Sequence, residues 1–264
     1  MPEKSQKYLL LLMGVGILIF LAHLDVIYVN IMEARNFITA REMATDNNWL
    51  LTTMNAEPRY EKPPLPTWLT AISGMVFGFK NLFGLRLPAA LAALLLLYSF
   101  YKFGLKLKAG QKQSFLASLI LTSSFYIIFM GRNGQWDIFT HSFMMLAIYF
   151  LWNVLSSSKN LWKNALFGAL FFGFSFMSKG PISLYALLLP FVIAYGSIYG
   201  FKNFRERWKP VLLFVFLGLV IGGCWVVYVR LADPASFLEF TMREAQNLTS
   251  YYIRPLHYYW RLFY

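Results

Sequence analysis

The run VLLFVFLGLVIGGCWVVYV, which covers Val211 to Val229, contains no charged residue. About 20 consecutive apolar residues in a helix cross the hydrocarbon core of a bilayer, so this run predicts a membrane-spanning helix. Six further runs of similar character, each with few or no charges, are Tyr8–Tyr28, Leu87–Phe103, Ser114–Met130, Ile138–Leu155, Leu161–Met177 and Ile182–Tyr199. The chain is therefore expected to cross a membrane several times.

Composition indicates the same fold class. Of the 264 residues, 58% are apolar, 19% aromatic and 14% charged, and the mean hydropathy is +0.51. A soluble domain of this length cannot bury so much apolar surface. We predict an all-α fold, a polytopic helical membrane bundle. Residues 1–264 are expected to form a single domain, because no linker, repeat or low-complexity tract marks a boundary.

The positive charges indicate which ends of the spans face the cytoplasm. Half of the 24 Lys and Arg residues lie in short stretches that contain only Glu3 and Glu206 among the acids. These stretches are Glu3–Lys7, Lys102–Lys112, Lys159–Lys163 and Lys202–Lys209. Because short cytoplasmic loops are enriched in Lys and Arg, the other loops are expected on the non-cytoplasmic face. The cations are dispersed among loops and form no single basic face, which argues against nucleic acid as a partner.

Two of the loops assigned to the non-cytoplasmic face are long, at about residues 25–66 and 232–260, and long loops often carry function. In the first loop, Glu33–Ala44 has good helix formers and a short apolar stripe. This pattern predicts an amphipathic helix on the membrane surface. Glu57–Pro64 follows, and its three prolines exclude a regular helix and indicate a stiff turn.

The apolar segment Thr67–Phe83 allows two interpretations. If it crossed the membrane as an ordinary span, the cluster Lys102–Lys112 would lie outside, against the positive-inside tendency. Either the segment is a re-entrant or interfacial helix, or the tendency fails in this chain.

Several motifs in these loops occur in an order that resembles a known family. They are EARNFITAREM (33–43), NNWLLTTMNAEPRYEKPPLPTW (47–68), RNGQWD (132–137), SKGP (178–181) and REAQN…RPLHYYW (243–260). The pattern is similar to the bacterial C-type glycosyltransferases that include the lipid A aminoarabinose transferases and relatives of dolichyl-phosphate-mannose protein mannosyltransferases. Members of this family are usually longer, so the chain is either a short member of the family or, as we expect, the N-terminal part of a longer protein.

The resemblance implies an enzyme of the bacterial inner membrane with its active site on the non-cytoplasmic side. Such an enzyme takes a sugar from a polyprenyl phosphate carrier and transfers it to a glycolipid such as lipid A or to a protein hydroxyl. This chemistry needs a base for the acceptor proton, cations for the leaving phosphate and an apolar surface for the lipid tail.

Glu33 is the first candidate for the base. The family motif usually begins with an acidic pair, and Met32 stands here at the first position of that pair. If the family's catalytic acid is that first position, Glu33, Asp137 or Asp25 has to take its place. The alternative is that Glu33 caps the surface helix and pairs with a nearby arginine.

Asp137 is the second catalytic candidate, because the corresponding acid in the family lies near the reaction centre. It follows a polar turn and precedes an apolar run. An equally natural role is the N-cap of the helix that begins at Ile138. Both roles are compatible with one another.

Lys62 and Lys179 are the candidates for binding the donor phosphate, with Arg59 and Arg243 in support. Gly180 and Pro181 directly follow Lys179 and fix the turn there. The alternative for each lysine is that its ammonium group snorkels to lipid headgroups, and for each arginine that it is an ordinary surface cation.

Glu61 and His257 form a possible metal pair. The resemblance implies that a divalent ion can bind between an acid of the first loop and a histidine of the second. No local ligand spacing supports this. The alternative is that His257 forms hydrogen bonds in an aromatic interfacial belt with Tyr258, Tyr259 and Trp260. No other cofactor is indicated. His141 lies in a predicted span and is expected to be structural.

A function of a different class is also compatible with the sequence. The substitution at Met32 leaves open a non-catalytic protein that binds polyprenyl phosphate or lipid, or a flippase. A secondary transporter is disfavoured, because it would require ionisable residues at mid-membrane depth or broken helices in paired halves.

Overall fold

The computed structural model describes residues 2–249, and that range is built almost entirely of helices. In chain order the elements are α1 (Pro2–Leu21), α2 (Ile31–Thr45), β1 (Thr53–Met54), β2 (Glu57–Pro58), α3 (Leu65–Phe77), α4 (Leu82–Lys106), α5 (Gln111–Ser123), α6 (Phe125–Gly131), α7 (Asp137–Ser156), α8 (Leu161–Lys179), a π-helical turn (Leu184–Leu188), α9 (Leu189–Tyr199), α10 (Lys202–Glu206), α11 (Trp208–Ala232) and α12 (Pro234–Thr249).

Three of the described helices, α4, α7 and α11, are individually long and apolar enough to cross a membrane. Helices α5 and α6 meet this criterion together, with a bend of 70° between them. The apolar helices Gln6–Leu21, Leu65–Phe77 and Leu184–Tyr199 are shorter. The predicted fold class, an all-α bundle of membrane helices, is confirmed.

Helices α7, α8 and α11 form one half of the bundle, and α4 joins it to α1, α3 and α5. Glycines allow the close approach of α8 and α11. A Cβ atom at Gly218 would lie 2.1 Å from the ring of Phe172, and one at Gly173 would lie 2.5 Å from Ile221. Small residues at helix interfaces are typical of packing in membranes, because they let backbones approach.

Helix α3 resolves the ambiguity of Thr67–Phe83. Its first turn contacts α2, where Thr67 Oγ1 donates to Asn36 Oδ1 at 2.7 Å. Its last turns contact the start of α4, where the Ser73 hydroxyl donates to the Gly84 carbonyl. That carbonyl needs another donor because Pro88, four residues on, has no N–H. Both ends of α3 therefore lie beside the same end of the bundle, and the interfacial or re-entrant interpretation is the one that fits.

The cation clusters lie at the other end. Lys106, at the end of α4, stacks on the ring of Tyr149 in the second half of α7. Arg207 donates to the carbonyls of Val154 and Ser157 and so ties the end of α7 to the start of α11. The two ends of the bundle thus differ in the way that the charge pattern predicts.

The structure corrects some local predictions. Helix α1 ends at Leu21, so the last residues of the predicted span Tyr8–Tyr28 lie outside it. Helix α2 is present, but its buried face includes the polar side chains of Glu33, Asn36 and Thr39. Helix α2 therefore packs on the bundle through these polar side chains. The apolar stripe in its sequence did not predict that contact. In the first loop, β1 and β2 form a short antiparallel hairpin, and Pro58 is the last residue of β2.

Candidate functional site

The start of α2 holds the first catalytic candidate. Asn30 is the N-cap, and its side chain accepts hydrogen bonds from the amides of Met32 at 2.9 Å and Glu33 at 3.0 Å. Glu33 has no exposed surface and forms a bidentate ion pair with Arg86, with Oε1 to Nε at 2.6 Å and Oε2 to Nη2 at 2.8 Å. The expected capping role therefore belongs to Asn30, and the partner of Glu33 comes from α4.

The same carboxylate also holds the turn between α6 and α7. The amide of Gly134 donates to Glu33 Oε1 at 2.8 Å, and Asn36 Nδ2 donates to the Gly134 carbonyl at 2.7 Å. Arg86 donates further to the Leu24 carbonyl at 2.8 Å. Because this carboxylate has no exposed surface and accepts three hydrogen bonds, an acceptor hydroxyl would reach it only after these contacts rearrange. The catalytic role of Glu33 stays a prediction, and this geometry argues for a supporting role instead.

Asp137 and Lys179 form an ion pair, although they are 42 residues apart. Asp137 is the first residue of α7, after the N-cap position Trp136, and Lys179 is the last residue of α8. The two side chains are 16% and 23% exposed, so the pair is shielded but reachable. Gly180 follows with φ +77°, a conformation that other residues rarely adopt, and ends α8 at this point.

An apolar cavity of about 270 Å³ begins one helical turn from Asp137. Its lining is apolar except for the hydroxyl group of Tyr126 and the imidazole of His141. The Tyr126 hydroxyl and His141 Nε2 are 3.2 Å apart. His141, expected to be structural, thus lies at the polar edge of an apolar cavity near the ion pair.

Arg59 is 8% exposed, so it is not a surface cation. Its Nη1 donates to Thr39 Oγ1 at 3.0 Å, and its guanidinium lies 5.4 Å from the ring centroid of Trp136. A weaker contact joins it to Glu61 at 3.6 Å. Burial lowers the pKa of Arg59 from its ordinary value, although arginine stays charged in proteins.

Lys62 lines a small cavity of about 10 Å³ together with Arg59 and Trp136. Among residues 2–249, Lys62 has no ion-pair partner. Two buried donors of the cavity wall, Arg59 Nε and Trp136 Nε1, also have no hydrogen-bond partner in the described part of the chain. The cavity wall is therefore rich in unused donors, and its volume is about that of one water molecule, which favours a single oxygen acceptor.

A larger cavity of about 330 Å³ lies between the hairpin and α12. Arg243 lines it and pairs with Glu239 at 2.8 Å, with both side chains mostly exposed. Tyr60 donates to Asp233 at 2.8 Å and so ties the hairpin to the start of α12. Hydrogen bonds from Ser236 and Tyr60 hold the pKa of the Asp233 carboxyl below its ordinary value. Arg243 thus belongs to this outer cavity, whereas Asp137 and Lys179 are not among its lining residues.

The predicted metal pair is only half described. Glu61 lines the outer cavity and lies beside Arg59, and His257 is outside the described residues. Within residues 2–249, no group of three His, Cys, Asp or Glu side chains is arranged to hold a metal ion. The divalent ion therefore remains a prediction, and no step of the chemistry below depends on it.

Sequence reasoning missed Arg86, Asn36 and Gly134. One signal for Arg86 was present, because it is a lone charge in the apolar stretch Leu82–Leu97. A charge in such a stretch needs a partner or a function. The partner itself, 53 residues earlier in the chain, could not be read from spacing.

Taken together, these features define a class of protein. It is an integral membrane protein with a helical bundle that presents a carboxylate–ammonium pair and a donor-rich cavity at one end, next to an apolar cavity.

The comparisons place the chain more closely. The family model for dolichyl-phosphate-mannose-protein mannosyltransferase matches residues 61–225. The chain belongs to this family, which confirms the resemblance seen in the sequence.

Similar curated proteins include an undecaprenyl phosphate-alpha-4-amino-4-deoxy-L-arabinose arabinosyl transferase 2 from Pseudomonas fluorescens, 29% identical over 80% of this chain and 38% of the relative. An arabinosyl transferase from Aeromonas hydrophila is 26% identical over 76% of this chain and 37% of the relative. The chain thus spans well under half the length of these relatives.

Two crystal structures of ArnT from Cupriavidus metallidurans share the fold at 20% sequence identity. The apo structure matches with a TM-score of 0.76 over 90% of this chain and 44% of that protein. The structure bound to undecaprenyl phosphate matches with a TM-score of 0.74 over 89% of this chain and 43% of that protein.

Proposed function

We propose that the chain carries the donor-binding and catalytic part of a membrane glycosyltransferase. It moves a sugar from a polyprenyl phosphate, such as undecaprenyl phosphate, to a lipid A-like glycolipid or a protein hydroxyl on the non-cytoplasmic face of a bacterial inner membrane. Support comes from membership of the mannosyltransferase family and from the arabinosyl transferases among its relatives.

The observation that carries this proposal is the pair of Asp137 and Lys179 at the end of the bundle that also holds Lys62. Trp136 connects the two parts, because it lines the small cavity beside Lys62 and directly precedes Asp137. One carboxylate from α7, one lysine from α8 and one from the loop between β2 and α3 therefore lie in one region. A sugar transfer from a phosphate carrier needs these groups.

In the proposed reaction, an acceptor hydroxyl oxygen attacks the anomeric carbon of the sugar. The bond from that carbon to the phosphate oxygen breaks, and polyprenyl phosphate leaves. Asp137 accepts the proton of the hydroxyl, and Lys179 and Lys62 stabilise the negative charge that develops on the phosphate. When the donor phosphate draws Lys179 to itself, the Asp137 carboxylate becomes free to act as the base.

The surroundings favour a lipid-linked phosphate over a soluble one. Arg59 and Trp136 add unused buried donors beside Lys62, which suit phosphate oxygens. The apolar cavity at Tyr126 and His141 gives the first part of a polyprenyl tail an apolar surface close to the ion pair. Arg243 in the outer cavity is better placed for the acceptor than for the donor phosphate.

The test uses the purified protein in lipid nanodiscs with a radiolabelled sugar on undecaprenyl phosphate and an acceptor glycolipid. The proposal expects labelled acceptor, and it expects Asp137→Asn to bind the donor without transferring the sugar. A protein that binds the donor yet leaves the sugar on its carrier, with wild type and Asp137→Asn alike, would be a binding protein or flippase.

A further inference from the structure

We infer that Glu33 and Arg86 form a positioning clamp, which acts through Gly134 to hold Asp137 in place for the transfer reaction. The inference rests on the proposed function for its catalytic consequence, and on the described contacts for the clamp itself. It assigns a role to Arg86, which no motif indicated, and gives Glu33 a role other than that of the base.

The clamp begins with the charges. Arg86 and Glu33 are both fully buried, and two short hydrogen bonds align the guanidinium with the carboxylate. Removing one partner of such a pair leaves an uncompensated buried charge. The remaining guanidinium nitrogen of Arg86, Nη1, donates to the carbonyl of Leu24, which lies just after α1. The pair thus fixes α2 against α4 and the end of α1.

Helix α2 also forms hydrogen bonds with both backbone polar groups of Gly134. Glu33 accepts from its amide, and Asn36, one turn along the same helix, donates to its carbonyl. This arrangement also needs glycine, because a Cβ atom at position 134 would lie 2.4 Å from the ring of Phe37 and 3.4 Å from the Glu33 carboxylate. The face of α2 and the peptide of Gly134 are therefore closely matched.

Other contacts hold the two ends of the turn: Arg132 donates to the carbonyls of Ile19 and His23, and Trp136 packs against the guanidinium of Arg59. Between these ends, the described hydrogen bonds of the Gly134 backbone are those to α2. Both polar atoms of the Asn133 side chain and the indole nitrogen of Trp136 are buried without a hydrogen-bond partner among the described residues. Gln135 contributes a longer contact of 3.2 Å to Asn30. Asp137 follows only three residues after Gly134, so a shift of the turn moves its carboxylate. Displacement by about 1 Å can reduce catalysis about 100-fold.

The charge pair is tested with Arg86→Lys and Glu33→Gln, with Arg41→Gln as the matched control. Arg41 lies on the exposed face of the same helix. Hydrogen exchange of the peptide covering residues 132–137 should become faster in both clamp variants and stay unchanged in the control. This readout needs no activity, so it remains informative if the wild-type protein transfers no sugar and the proposed function fails.

Catalysis gives the second readout. Arg86→Lys and Glu33→Gln should lower kcat about 10- to 100-fold, with the KM for the donor changed less than about threefold. Unchanged kcat in both clamp variants of an active enzyme, or unchanged exchange of residues 132–137 in both, would overturn the inference.

A third variant avoids the buried charges and so covers the case in which these variants fail to fold. Gly134→Ala should lower kcat in the same way, because its new methyl group pushes the turn away from α2. The second change Phe37→Ala should restore part of the activity by making room for that methyl group. An undisturbed Gly134→Ala enzyme with wild-type exchange at residues 132–137 would contradict the clamp.

Discussion

Replacement of Asp137 by asparagine is the sharpest test of the proposed chemistry. The substitution keeps the size of the side chain and removes its negative charge and its capacity to accept a proton. Loss of a general base typically lowers the rate by about 10²–10⁴. We therefore expect turnover of Asp137→Asn to fall by about 100-fold or more.

The structure also sets the expected cost in stability. The side chains of Asp137 and Lys179 are 16% and 23% exposed, between an exposed pair and a buried one. Exposed pairs contribute about 0–1 kcal/mol, and breaking a buried pair costs about 3–5 kcal/mol. A loss of about 1–2 kcal/mol in the free energy of unfolding follows, so the variant should remain folded and measurable.

The assay compares initial rates of transfer from a labelled undecaprenyl phosphate sugar and, separately, the binding of that donor. Donor affinity should be kept or increased, because Lys179 no longer has a competing carboxylate. Asp25→Asn is the control, since Asp25 is exposed and was an alternative base. Turnover of Asp137→Asn within about threefold of wild type would refute the assignment, and a large loss in Asp25→Asn would move the base to that position.

Two further predictions concern the donor and the topology. Lys62→Ala and Lys179→Ala should each weaken binding of the donor by about 1.5–3 kcal/mol, the value of a charged hydrogen bond. The double variant should deviate from additivity, because both lysines share one phosphate. Additive effects, or unchanged donor affinity of either single variant in an equilibrium binding assay, would mean that a lysine only snorkels to lipid headgroups. In a background without Cys224, a cysteine at Asn47 should react with an impermeant reagent added outside intact cells and one at Gly110 should not, because these positions lie at opposite ends of the bundle; labelling at Gly110 alone would reverse the proposed orientation.

Apolar runs were sufficient to predict the fold class, because the bilayer requires long apolar helices with internally paired backbones. They could not predict the path of α3. That path depends on Ser73, which replaces the donor that Pro88 lacks, and on contacts with Asn36. Such contacts join distant parts of the chain and leave no periodic signal.

The candidate site could be predicted only in part, because it also depends on contacts between distant parts of the chain. Residue types and motif order singled out Asp137 and Lys179, but their ion pair brings together the start of α7 and the end of α8. For Glu33, the sequence showed an acid at the start of a helix and could not show its burial against Arg86. Sequence alone therefore suggested a base at a position where the structure has a buried ion pair. His257, the predicted metal ligand, lies outside the described residues.

In the proposed mechanism, the region of Asp137, Lys179 and Lys62 holds the donor phosphate. An experimental structure of the protein with a non-hydrolysable phosphonate analogue of the sugar donor would show where that phosphate binds. We expect phosphonate oxygens within about 2.7–3.2 Å of the two lysine ammonium groups, with the Asp137 carboxylate released from Lys179 and facing the anomeric carbon. An analogue bound beside Arg243 in the outer cavity, with the pair of Asp137 and Lys179 still intact, would contradict this mechanism.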